Sequence, residues 1–539
     1  MAGWAHHLII APVVLPLVAG ALLAVYDERR QFLKGLINLF STLANLAIAI
    51  LLLQAADTDA PGVYLLGNWP APFGIVLVLD RLSAMMILLT AVLATASLIF
   101  SMARWHTVGH HFHTLFQFLV MGVNGAFLTG DLFNLFVFFE VMLASSYGLL
   151  LHGSGPRRVQ ASLHYVVINL TAAFFFLVGV ALIYGVTGTL NMADLATRIP
   201  ALAGENRILL EVGAAILAMA FLVKAAMWPV GFWLLSAYPA AAPPVAAIFA
   251  ILSKVGLYVL LRGRPLLFGN EAGEAAGFGA TLLFAGGLAT IVFGILGVLA
   301  SQAMTRIASF SLMISSGTVL AAIGLSDAQV TGGALFYLAS STLTISALFL
   351  LIELIERGQN PGADLIAVTA ETLRAEPDED AASEASMGFP GTLALLGACF
   401  TACALLLIGL PPLSGFVAKL ALLAALFAPA GEGAAASLPA ANWAFIVLLL
   451  LSGVATLMTL SRVGIRAFWA PVDAVAPRVR AVEVAPVAAL LLLTLVLAVK
   501  GGTVMHYMEE TARSVLTPSF YVEEVLSAPR VPPAKAGLQ

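Results

Sequence analysis

Apolar residues gather along this chain in blocks of about 20, the length a helix needs to cross the hydrocarbon core of a bilayer. The first six blocks are Leu8–Tyr26, Leu33–Leu53, Leu82–Phe100, Phe112–Thr129, Leu132–Leu151 and Leu163–Tyr184. The seventh starts at Leu209, breaks near Pro229 and continues briefly to Tyr238. Val245–Leu261, Phe278–Ala300, Ile307–Leu325 and Gly333–Ile355 follow. The twelfth starts near Thr392, breaks at Pro411-Pro412 and resumes to Leu426; Phe445–Phe468 and Val484–Met505 complete the set. The pattern predicts an all-α polytopic membrane protein with about 14 transmembrane helices, the seventh and twelfth broken. The first block lacks a cationic flank and a plain cleavage site, so it reads as a retained span.

The polar positions that interrupt these blocks carry the chemistry. Between Lys224 and Lys254 the chain is strongly apolar yet holds Pro229, Pro239, Pro243 and Pro244. Broken backbone at membrane depth is tolerated only where protein covers it or water solvates it, a pattern known from secondary transporters. Only six lysines occur, and Lys224, Lys254 and Lys419 lie inside spans, whereas the loops use arginine almost exclusively. Arginine stays charged, while a buried lysine can lose its proton near neutral pH, as a proton relay requires. Snorkelling to the interface is the bland alternative, but Lys224 and Lys254 lie several turns from a span end. Glu140, in the middle of span five, is the matching acid and is expected to pair with Lys224; a neutral structural glutamate is the alternative. Protons would pass from Lys224 through Lys254 towards Lys419.

Other polar groups have plainer readings. Asp131 is placed to cap span five, and Asp80 with Arg81 to form an interfacial pair. His164 and Asn169 in span six, and Ser315, Ser316, Ser341, Thr342 and Thr344 in spans ten and eleven, could hold water between the lysines, or simply pack helices. His106, His110, His111 and His113 crowd one short loop, read as interfacial rather than as a metal site. Cys399 and Cys403 read as packing residues. Loops after odd-numbered spans hold 13 Lys or Arg against five after even-numbered ones, which predicts odd loops in the cytoplasm and both termini on the opposite side. The polar, acidic stretch 356–389 reads as a solvated cytoplasmic connector.

Composition narrows the class. The chain is 61% hydrophobic and 10% charged, against about 45–50% and 25% in globular domains. No CxxC pair, P-loop or dinucleotide fingerprint is present, so metal, cofactor, ATP or NAD chemistry within this chain is not expected, nor is nucleic-acid binding.

Four stretches are recognisable: GDLFNLFVFFEVMLASSYGLLLHG, INLTAAFFFLVGVALIYGVTGTLNMADLA, VKAAMWPVGFWLLSAYPAAAPPVAAIFAILSKVGLYVLLR and LPPLSGFVAKL. They resemble the antiporter-like subunits shared by respiratory complex I and the multisubunit Mrp-type cation/proton antiporters, most closely the D-type subunit of the latter. The resemblance covers nearly all spans. It implies two inverted five-helix repeats, residues 112–262 and 263–470, between N-terminal spans one to three in 1–111 and a fourteenth helix with C-terminal tail in 471–539. It also implies that Glu140, Lys224, Lys254 and Lys419 form a proton-conducting axis at the membrane midplane, and that the chain works with partner subunits. Two departures stand out. Related subunits often carry a histidine near Ser340 and another where this chain has Gly231.

The leading expectation is therefore a proton-conducting subunit of a Na⁺/H⁺ or K⁺/H⁺ antiporter complex in a bacterial inner membrane. A proton-pumping subunit of a complex I-like or hydrogenase-linked oxidoreductase is the alternative, and a scaffold that no longer conducts is a third. Iron–sulfur and flavin subunits on co-purification would mark the second.

Overall fold

A computed structural model describes residues 4–58, 60–359, 390–428, 438–468 and 479–530. The chain folds as a bundle of α1 (Trp4–His7), α2 (Ala11–Val25), α3 (Gln31–Ala55), α4 (Arg81–Met102), α5 (Phe112–Leu128), α6 (Leu132–Leu151), α7 (Pro156–Thr187) and α8 (Met192–Arg198). There follow α9 (Gly204–Lys224), α10 (Phe232–Ala240), α11 (Pro243–Phe249), α12 (Leu252–Phe268), α13 (Ala280–Ala300), α14 (Met304–Leu325) and α15 (Ala328–Gln359). The last six are α16 (Pro390–Ile408), α17 (Ser414–Phe427), α18 (Ala440–Phe468), α19 (Ala481–Val499), α20 (Gly501–Leu516) and α21 (Ser519–Ser527).

Among the described residues, 12 helices are long and apolar enough to cross a membrane, and α2, α5 and α17 are shorter apolar helices. The expected polytopic helical architecture is present; blocks seven and twelve fall on broken pairs of helices, and block eight on the consecutive α11 and α12. Two features depart from an all-helical, uniform pattern. A two-stranded antiparallel ribbon, β1 (Gly62–Leu65) with β2 (Val76–Leu79), lies between α3 and α4. The fourteenth block ends at Val499 rather than Met505, because the helix turns at Lys500 and α20 packs across α15, α12 and α4. Most of the acidic connector 356–389 lies outside the described residues.

The centre of the bundle is formed by α11–α12 and α15, whose most apolar stretches are wholly buried, with α14 and α4 beside them. On the outer helices α3, α7, α13 and α16 only 33% of that stretch is buried. Buried polar groups therefore concentrate where α9, α12, α14, α15 and α17 meet.

Candidate functional site

The break after α9 begins at Lys224 itself. Ala226 takes a left-handed φ of 58°, and Pro229 supplies no N–H to continue the helix. The backbone groups released there find partners: Met227 N donates to the Leu222 carbonyl at 3.0 Å and Trp228 N to Thr290 Oγ1 at 2.9 Å. Trp233 Nε1 donates to the Val223 carbonyl at 2.8 Å, which folds its ring back over the end of α9. Lys224, 1% exposed, then sits among three rings: its Nζ lies 5.6 Å from the centroid of Tyr165, 5.8 Å from Phe139 and 5.9 Å from Trp233. A cation–π contact contributes about 0.5–2 kcal/mol, more where water is absent. The Tyr165 hydroxyl is hydrogen-bonded to Ser146 Oγ at 2.9 Å.

The expected Glu140–Lys224 ion pair is not made. Lys224 Nζ and Glu140 Oε1 are both buried without a hydrogen-bond partner. Glu140 is half-buried at the outer side of α6, near enough for the two charges to act on each other but not in contact. Three aromatic rings, rather than a carboxylate, surround the lysine's ammonium.

Lys254 is on α12, the helix that packs against the end of α9. At Gly256 the helix α12 crosses α9 so closely that an added Cβ would come within 2.9 Å of Lys224 Cβ. Lys254 is 0% exposed, and its Nζ donates to Ser315 Oγ at 2.9 Å. Ser315 is in turn hydrogen-bonded to Ser341 at 2.8 Å, so a hydroxyl chain crosses from α12 through α14 to α15. On the other side of α15, Ser340 is hydrogen-bonded to Ser414 at 2.8 Å, at the first residue of α17.

Lys419 lies five residues beyond Ser414. Gly409, at φ 83°, ends α16, and Pro411-Pro412 keeps the chain from resuming helix until Ser414. The last carbonyls of α16 have no helical N–H to accept. Lys419 Nζ fills that role, donating to the Ile408 carbonyl at 2.8 Å and the Leu407 carbonyl at 3.4 Å. A cation at a helix C-terminus also meets the favourable end of the helix dipole.

The remaining expected residues divide. Ser341 is in the chain described above. Ser316 is buried next to it with an unpartnered Oγ. Thr342 instead donates to the Leu338 carbonyl of its own helix at 2.6 Å. His164 is exposed on the outer face of α7, a turn of about 100° from buried Tyr165, and does not join the others. Asp131 caps α6 as expected, accepting from Asn134 N at 2.9 Å. Asp80 caps α4, but its ion-pair partner is Arg262 at 2.7 Å, while Arg81 reaches Asp57 at 3.2 Å.

A second buried lysine site was not expected. Lys34, counted from sequence among the loop charges, is 1% exposed inside α3 and bonded to Glu28 at 2.5 Å. It opens a buried polar stripe of Asn38, Ser41, Thr42 and Asn45 on α3, the first three of which bond to His113 or Gln117 on α5. Asn38 Nδ2 meets His113 Nδ1 at 2.8 Å, and Gln117 Nε2 donates to Asn38 Oδ1 at 2.7 Å. His111, at the start of the stripe, contacts Glu28 at 3.0 Å. Burial raises the Glu28 pKa, but hydrogen bonds from Lys34 and the His111 N–H outweigh it and hold the carboxyl below its ordinary range. At the same end of the bundle Trp105 Nε1 donates to Glu353 at 2.8 Å, and Arg357 bridges Glu353 and Glu483. Trp105, Arg158, Tyr238, Glu353, Glu356 and Arg357 line a cleft of about 320 Å³ at this arginine-rich face.

A family profile described as NADH:quinone oxidoreductase/Mrp antiporter, TM, matches residues 129–437. The chain belongs to the NADH:quinone oxidoreductase/Mrp antiporter family. It is 56% identical over 535 residues to the D-type subunit of a probable K⁺/H⁺ antiporter of Rhizobium meliloti, covering 98% of this chain and 99% of that one. It is 33% identical to the D-type subunit of a Na⁺/H⁺ antiporter of Alkalihalophilus pseudofirmus, covering 97% and 99%. A chain of the Mrp complex from Dietzia superposes with a TM-score of 0.82 at 28% identity, covering 97% of this chain and 99% of that one. Within this Mrp antiporter family chain, sequence reading missed Tyr165, Trp233 and Ser414. Trp233 lies across a helix break, where no periodicity relates it to Lys224. Ser414 follows the prolines and could have been found as the first residue after a helix stop.

Proposed function

We propose that this chain is the proton-conducting subunit of a multisubunit monovalent cation/proton antiporter, with the row Lys224, Lys254 and Lys419 carrying the proton. The carrying observation is the hydroxyl path beyond Lys254: Ser315 and Ser341 lead from it across α14 to α15, and Ser340 on α15 bonds to Ser414, five residues before Lys419 on α17. Lys224 joins the row through the packing of α12 against the end of α9 at Gly256. A hydroxyl both donates and accepts, and a lysine alternates between ammonium, which only donates, and amine, which can also accept, so a row of them with intervening water can relay charge without moving a heavy atom far. In this reading Glu140 biases Lys224 through space rather than by contact. Its half-buried position in the middle of α6 suits a charged group of a partner subunit acting on it from outside.

Charge bias places the arginine-rich face in the cytoplasm, so the cleft beside Glu353 and Glu356 is the side of proton exchange with the cytoplasm. The broken spans seven and twelve are each the fourth of five, which supports two inverted units in 112–262 and 263–470. The partners are the other subunits of the complex, and the membrane is a bacterial inner one. Potassium is the cation we favour, on the higher identity to the relative named for K⁺/H⁺ exchange.

The test is cation-dependent proton flux in everted vesicles of an antiporter-deficient host carrying the whole complex, wild type against Lys224→Ala, with K⁺ and Na⁺ titrated separately. Flux lost with the complex still assembled, and K⁺ the more effective ion, is the expected result. Retained flux in the variant would remove this chain from the proton path and leave it a scaffold.

A further inference from the structure

At the end of the bundle opposite the arginine-rich face, a groove opens between α9, α12 and α13. Its cavity is about 140 Å³, and its walls are almost entirely apolar, with Leu217, Phe221, Leu222, Leu266, Phe278 and Leu282 prominent. Leu282 is 58% exposed at the outside and Phe221 is buried at the floor, so the groove runs inward from the lipid-facing surface. Its mouth is open: an added Cβ on Gly263 or on Gly279 meets nothing within 4 Å. Along α9 the lining runs from Ala214 to Leu222 and along α12 from Tyr258 to Phe268. At 1.5 Å per residue these stretches are about 12 and 15 Å long, close to the depth of one leaflet of a bilayer core about 30 Å thick.

Two arginines stand at the mouth, and they differ. Arg262 is committed to Asp80, at 2.7 and 2.8 Å, and to the Tyr258 hydroxyl at 2.9 Å. Arg264 gives one Nη1 hydrogen bond to the Ile323 carbonyl at 3.2 Å, and its buried Nε has no partner. Among the described residues no carboxylate pairs with it. A guanidinium is always charged and presents a fork of donors matched to phosphate oxygens. Left alone at the edge of an apolar surface, it is an uncompensated cation where the solvent is lipid.

We propose that this groove binds one acyl chain of an anionic phospholipid whose phosphate is held by Arg264. An apolar groove about one leaflet deep with an arginine that no carboxylate pairs at its mouth matches an acyl chain and a phosphate together, which argues for a phospholipid over a helix of another subunit. The preference for an anionic lipid follows because a zwitterionic headgroup brings its own ammonium to the phosphate, whereas an anionic one leaves the charge for Arg264. The lipid also has a structural consequence. Phe221, at the floor, packs against Phe139 and Phe176 at ring distances of 5.9 and 5.3 Å, and Phe139 is one wall of the Lys224 cage. A chain in the groove braces that wall from behind.

The test uses the assembled complex, reconstituted in nanodiscs of phosphatidylglycerol or of phosphatidylcholine, re-extracted, and examined by native mass spectrometry and cryo-electron microscopy. Wild type should retain phosphatidylglycerol over phosphatidylcholine, with acyl-chain density between α9 and α12. Arg264→Gln should retain both lipids equally. Gly263→Trp, whose side chain has open space to occupy, should lose the groove lipid whatever its headgroup. Equal retention by wild type and Gly263→Trp would overturn the site, as would polypeptide density in the groove. Parity of the two lipids in wild type would overturn the role of Arg264. None of these readouts depends on whether the lysine row conducts protons.

Discussion

Lys224 and Lys419 sit at similar places in the chain, each beside a proline break in a membrane helix, and they are held in opposite ways. Lys419 spans its break and caps the helix before it, giving its protons to two backbone carbonyls. Lys224 ends the helix before its break and gives its protons to no acceptor; three aromatic faces surround it. A carbonyl-capped ammonium is tied to the fold, because its charge strengthens both bonds to the carbonyls and losing the proton weakens them. A ring-caged ammonium has no such tie, so burial, nearby charges and any water that reaches it set its charge state. The difference suggests that one lysine anchors the row and the other responds.

The comparison is broken most directly at the two lysines. Lys419→Ala should destabilise the assembled complex by about 1–3 kcal/mol, the cost of leaving buried carbonyls unsatisfied, and should show it as a lower midpoint in thermal unfolding of the purified complex. Lys224→Met should leave that midpoint unchanged or raise it, since no acceptor is orphaned, while exchange is lost in both. Equal destabilisation by the two substitutions would mean that the cage carries a tie not evident in its geometry. A middle-sized effect is expected at Ser315. Ser315→Ala cuts the link from Lys254 to Ser341 and should slow proton flux several-fold, on the order of the 1 kcal/mol attached to one hydrogen bond. Thr342→Val, which removes a hydroxyl already turned back on its own helix, should leave flux unchanged.

The smallest effect concerns the second lysine site. The Glu28 carboxyl is held below its ordinary range, so its ties to Lys34 and His111 are in place above the ordinary carboxylate pKa, about 4.3. They are lost as pH falls through the lower folded-state value. Stability of the complex between neutral pH and pH 5 should therefore not depend on Glu28 titration, and a loss of stability at lower pH should be shallower in Glu28→Gln, followed by unfolding midpoint against pH.

What the sequence could and could not reveal follows from the solvent. Apolar blocks of about 20 residues stand out in any membrane chain, and a lysine in the middle of one is conspicuous, so the spans and Lys224, Lys254 and Lys419 were legible. Which way each residue faces was not. On a helix between lipid and protein both sides are apolar, and hydropathy carries almost no phase. That is why His164 was grouped with the site and Tyr165, its neighbour in sequence, was overlooked. Breaks erase the phase altogether, which hid Trp233 and the capping role of Lys419. Lys34 was misplaced because it stands one turn inside a span end, where snorkelling is the ordinary expectation. The repeat of polar residues at Asn38, Ser41, Thr42 and Asn45 was the available signal that this face is buried.

The polar stripe on α3 has a consequence for biosynthesis. Lys34, Asn38 and Thr42 find their partners in Glu28, immediately before the helix, and in His113 and Gln117, which emerge from the ribosome some 70 to 80 residues later. Until α5 arrives, α3 must hold amide and hydroxyl groups against lipid or against the insertion machinery. A nascent chain halted between α4 and α5 would therefore remain associated with that machinery, and completion of α5 would be the step that releases the first four spans together.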